Sequence, residues 1–103
     1  MKTLSLMTGL ALALASAGAW AGVEDAMNKA GCMACHSKDK KLVGPSFKEI
    51  AAKYKGQDVT ATLMQKVRTG GKGSFGPIPM APNPPEKIND ADLKEAVELI
   101  LKS

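Results

Sequence analysis

A chain of 103 residues with 14 Lys and Arg against 10 Asp and Glu has a formal net charge of +4. That modest excess, without an arginine-rich run or an aromatic platform, argues against a nucleic-acid binder and suits steering towards an acidic protein surface. Two cysteines and one histidine are too few for a four-ligand structural zinc site.

Residues 1–21 read as an export signal. Met1-Lys2 supplies a positive charge, residues 4–15 an apolar stretch, and Ala19-Trp20-Ala21 a small-x-small cleavage pattern. An uncleaved anchor is the alternative, because residues 3–23 hold no charge and are just long enough to span a bilayer. The alanine-rich end and the cleavage box favour removal. Cleavage after Ala21 leaves residues 22–103 as one domain of 82 residues, with a net charge of +3 once Lys2 is lost.

Val23, Met27 and Ala30 recur at helical spacing and predict a first helix ending at Gly31. Directly after it stands Cys32-Met33-Ala34-Cys35-His36, a C-x-x-C-H pentapeptide. This is the attachment pattern of c-type haem, in which two thiols add to the porphyrin vinyl groups and the adjacent histidine ligates iron. Thiols three residues apart lie on one side of a helical turn, and the next residue brings an imidazole beneath the same ring. A thioredoxin-like redox pair would follow a strand, and none is predicted here. A disulfide across two residues closes too small a loop to hold a fold. In an exported chain the two cysteines must therefore be kept reduced until haem c is attached. With Trp20 removed, only Phe47, Tyr54 and Phe75 remain as aromatics, so a buried porphyrin would supply apolar surface that the chain lacks.

Phe47, Ile50, Ala51 and Tyr54 predict a second helix stopped by Gly56. Val59, Leu63 and Val67 predict a third, with Asp58 as its cap and Gly70-Gly71 as its end. Gly71-Lys72-Gly73-Ser74-Phe75-Gly76 matches G-x-G-x-x-G, but it follows a helix and runs into proline, so it reads as a flexible turn and not a dinucleotide loop. Residues 76–85 hold five of the six prolines, a density that fixes a non-helical loop and can hold one side chain at a metal. Met80 sits in that loop, 44 residues after His36. It is the preferred second axial ligand, since Met27 and Met64 fall on helices as core filler and Met33 lies within the attachment motif. Leu93, Ala96, Val97, Ile100 and Leu101 predict a fourth helix capped by Asn89 or Asp90. The expected class is all-α.

Cys32-Met33-Ala34-Cys35-His36, Val43-Gly44-Pro45, Gly76-Pro77-Ile78-Pro79-Met80 and Pro82-Asn83 together resemble the small bacterial class I cytochromes c of the c-551/c-552 type. The resemblance implies a compact helical monomer with one low-spin haem, shuttling single electrons in the periplasm. It implies His36 and Met80 as iron ligands and Cys32 and Cys35 as thioether positions. It further implies that the Pro45 carbonyl accepts from the other His36 nitrogen, and that Asn83 donates to the methionine sulfur. Lys66 falls where the family often has an arginine near a haem propionate. Phe75 replaces a tryptophan common in that loop, which removes an indole N–H donor.

The expected role is an electron carrier whose iron cycles between Fe(III) and Fe(II) with both axial positions filled. Its partners are a reductase or oxidase and an upstream donor, with Lys29, Lys38, Lys40, Lys41, Lys66 and Lys72 as candidates to face acidic docking surfaces. An open position at Met80 would instead suit a peroxidase or a gas-binding protein. A haem-free redox or interaction module requires that the cysteines never receive haem.

Overall fold

The computed structural model describes residues 15–103, with side chains from Gly22 onward. Residues 1–14 of the expected export segment lie outside it, and the backbone of residues 15–21 forms the first part of a helix. That helix, α1, is Ala15–Ala30, and Gly31 ends it at φ 84°. A 3₁₀ turn, Cys32–Ala34, follows, then α2 (Phe47–Lys53), α3 (Thr60–Thr69), strands β1 (Gly71–Gly73) and β2 (Gly76–Met80), and α4 (Asp90–Leu101). Among the described residues no helix is long and apolar enough to cross a membrane.

The four predicted helices are present, and caps explain where two of them start. Ser46 Oγ accepts from the Glu49 N–H at 3.1 Å, and Asn89 Oδ1 accepts from the Asp92 N–H at 2.8 Å. The expectation for α3 needs correction. Its cap is Val59, with no side-chain bond, so Asp58 does not open the helix.

The expectation of no strand also needs correction. β1 and β2 form an antiparallel hairpin in which Gly71 pairs with Met80 and Gly73 with Gly76, with an irregular register between. Residues 71–76 are thus part of a hairpin, not a flexible turn. Glycine and proline hid the pairing, because the hairpin is built from backbone and shows no apolar alternation. Pro77 and Pro79 lack an N–H and fall between the paired ends of β2, where the irregular register asks least of them.

α4 packs on α1, α2 and α3. Its Leu93, Ala96 and Val97 meet Val23, Met27 and Ala30 of α1, Phe47 and Ile50 of α2, and Ile88 from the loop before it. This helical core holds the attachment turn and the methionine loop at fixed places. The expected all-α class therefore stands, with one small hairpin added.

Candidate functional site

Gly31 turns the chain out of α1, and the 3₁₀ turn then closes on one carbonyl. Cys32 O accepts from the Cys35 N–H at 3.3 Å and from the His36 N–H at 3.0 Å. The turn sets the two cysteines and the histidine one helical turn apart, as the spacing predicts. Cys35 is exposed and Cys32 half-buried, and the two form no disulfide. Burial pushes the Cys32 thiol up; its own backbone N–H and Lys87 act in the opposite direction, and Cys35 adds to the rise.

His36 is held on three sides. Its Nδ1–H donates to Pro45 O at 2.7 Å, which leaves the Nε2 lone pair for a metal. Its ring stacks on Phe47 with centroids 5.8 Å apart and planes 25° apart. Gly44 lies against the ring edge, where a Cβ would come within 2.5 Å of Cε1. The loop supplying Pro45 is itself pinned, with the Gly44 N–H donating to Cys35 O at 2.8 Å and the Phe47 N–H to Ser37 O at 2.9 Å.

Met80 ends β2 and is half-buried. Gly70, at φ 70° and ψ −155°, packs against its main chain, and a Cβ there would run into Met80 O and stand 2.9 Å from Pro82 N. Beyond Met80, the Asn83 N–H donates to Val67 O at 2.9 Å. The Asn83 side-chain amide donates to Ala81 O at 3.0 Å and to Val67 O at 3.4 Å. This amide thus fastens the segment that follows Met80. The other methionines sit as expected: Met27 is buried in the core, Met64 packs beside it, and Met33 is 40 % exposed.

Lys66 is half-buried on α3, and its Nζ would stand 3.2 Å from a Cβ on Gly71. Phe75 forms the hairpin tip. Its ring is 4.5 Å from Lys53 Nζ and meets Tyr54 edge-on at 6.3 Å, while Lys53 also donates to Ser74 O. The sequence gives no sign of Lys53 or Arg68, marks Gly70 only as the end of α3, and offers Gly44 only as part of Val43-Gly44-Pro45. For Gly44 a signal existed in its place directly before Pro45.

These residues fit a covalently bound porphyrin. The turn offers two thiols and an imidazole whose Nδ1 is already committed, and the hairpin ends in a thioether. Leu42, Val43, Phe75 and Ile78, on the loop after His36 and on the hairpin, are exposed large apolar side chains of the kind a flat apolar group would cover.

The comparisons agree with this reading. The family described as Cytochrome c matches residues 23–103. Cytochrome c2 of Rubrivivax gelatinosus is 53% identical over 76 residues, covering 73% of this chain and 89% of the relative. Cytochrome c-551 of Azotobacter vinelandii is 47% identical over 79 residues, covering 76% of this chain and 93% of the relative. The crystal structure of Nitrosomonas europaea cytochrome c552 superposes with a TM-score of 0.69 at 41% identity, covering 77% of this chain and 96% of that one. The chain belongs to the cytochrome c family and is an electron-transfer protein with one covalently attached haem c, not an enzyme.

Proposed function

We propose that the chain is a periplasmic single-electron carrier in which Cys32 and Cys35 hold the haem, His36 and Met80 are the axial ligands, and residues 1–21 are removed on export. The observation behind this reading is the His36–Pro45 bond at 2.7 Å inside a C-x-x-C-H turn. When bound, the haem supplies a one-electron couple, tuned upwards by imidazole and thioether ligation.

The protein's part is to hold and to exclude. Pro45 fixes the tautomer and plane of His36, and Phe47 backs its ring. The prolines and Asn83 keep the Met80 segment from rearranging, so little moves when charge changes at the site. The helical core behind both loops excludes water. Lys38, Lys40 and Lys41 are exposed on the loop just after His36, where they suit orientation towards an acidic partner surface. The N-terminal proposal is supported by extent: the solved relative is matched over 96% of its own length yet spans only 77% of this chain.

The test has two arms. Protein exported from cells with c-type maturation should keep its haem after denaturation and begin at Gly22; an intact mass of bare peptide rejects the attachment. Met80→Ala should then abolish the far-red sulfur–iron band and lower the potential, while Met64→Ala does neither. An unchanged Met80→Ala spectrum places the second ligand elsewhere.

A further inference from the structure

We infer that Arg68 is a positioning residue for Met80, an inference that rests on the His36/Met80 reading above. Arg68 lies in the last turn of α3, its side chain only 16% exposed. One guanidinium nitrogen, Nη1, donates to Asn83 O at 3.1 Å and to Ile88 O at 2.7 Å, and Nη2 reaches Asp90 Oδ1 at 2.6 Å. The side chain thus joins the segment leaving Met80 to the segment entering α4.

Asn83, three residues after Met80, is gripped from two sides. Its N–H goes to Val67 O at 2.9 Å and its carbonyl to Arg68. Pro84 and Pro85 stiffen the stretch between the grips and Pro82 the step back to Met80, so fixing Asn83 and Ile88 restricts Met80 as well. The two carbonyl bonds matter more than the ion pair. Asp90 is 85% exposed and its charge is screened by water, whereas the carbonyls are met by a largely buried cation. A guanidinium fork can serve two carbonyls at once; an ammonium is a single point. Loosening the grip should let Met80 leave its partner more often and open that position to an added ligand.

The experiment uses the holoprotein with imidazole as the added ligand. Arg68→Gln should raise the apparent imidazole affinity about tenfold, the size expected for losing a charge-assisted bond. Exchange of the Asn83 amide should accelerate, while that of the Leu63 amide at the other end of α3 stays unchanged. Arg68→Lys should fall between wild type and Arg68→Gln, and serves if Arg68→Gln folds poorly. Val97→Ala, a core deletion away from the loop, should lower the melting temperature without raising imidazole affinity. Equal imidazole affinities in Arg68→Gln and Val97→Ala would reduce Arg68 to a purely structural role and overturn the inference. In a Met80→Ala background, Arg68→Gln should give no further gain. A far-red band persisting in Met80→Ala would overturn the ligation reading itself.

Discussion

Gly44 and His36 are in such close register that a Cβ on the glycine would stand 2.5 Å from the imidazole Cε1 and 2.9 Å from Nδ1. The missing side chain is what lets the ring lie flat to the Pro45 carbonyl. Gly44→Ala must push the ring off that carbonyl or shift a backbone pinned to Cys35. Overpacking of this kind costs about 1–3 kcal/mol. Guanidinium unfolding of the holoprotein should show that loss with an unchanged slope; a change under about 0.5 kcal/mol would mean the loop yields freely.

Gly70 and Gly56 separate backbone strain from contact. Both have positive φ, 70° and 76°, but an added Cβ meets Met80 and Pro82 at the first and nothing within 4 Å at the second. Gly70 also has ψ −155°, a region that costs other residues roughly 1–3 kcal/mol. Gly70→Ala should destabilise more than Gly56→Ala and should alone weaken the far-red band. Equal effects on the band would disconnect Gly70 from the Met80 segment.

The haem should be a large share of the fold's stability. Among the described residues the buried apolar core is nine side chains, while Leu42, Val43 and Ile78 are 47%, 52% and 55% exposed. A core that small is marginal without a further staple. Cys32→Ala/Cys35→Ala, which cannot take covalent haem, should melt at least roughly 20 °C lower or lose cooperative melting, as followed by circular dichroism. A transition within about 5 °C of the holoprotein would show the polypeptide core to be self-sufficient.

Different parts of this architecture write themselves into sequence with different clarity. The attachment turn is legible because Cys32, Cys35 and His36 act through local spacing. Gly31 marks the end of α1, and the apolar faces of α2 and α4 repeat at 3.6 residues. The hairpin is not legible, since Gly71, Gly73, Pro77 and Pro79 pair through backbone or not at all. Arg68 is silent for a related reason: two of its three partners are main-chain carbonyls, which any residue could supply. Gly44 and Gly70 owe their identity to His36 and Met80, neighbours that meet them only once the loops have folded.

The helix caps give the sharpest contrast between a legible signal and a false one. Asp58 and Asn89 both precede amphipathic helices and both suit the capping role. Only Asn89 performs it, accepting from the Asp92 N–H at 2.8 Å while its own amide donates to Asp92 Oδ2 at 3.1 Å. At α3 the Leu63 N–H goes to Val59 O at 2.8 Å, so the helix begins one residue beyond the reach of Asp58 as an N-cap. Asn89→Ala should therefore cost about 1 kcal/mol in chemical denaturation, the usual value of a lost cap. Asp58→Ala should stay within about 0.5 kcal/mol of wild type, as for an ordinary surface position. The reverse order would mean that α3 starts at Asp58 in solution and that its first turn differs from the one described.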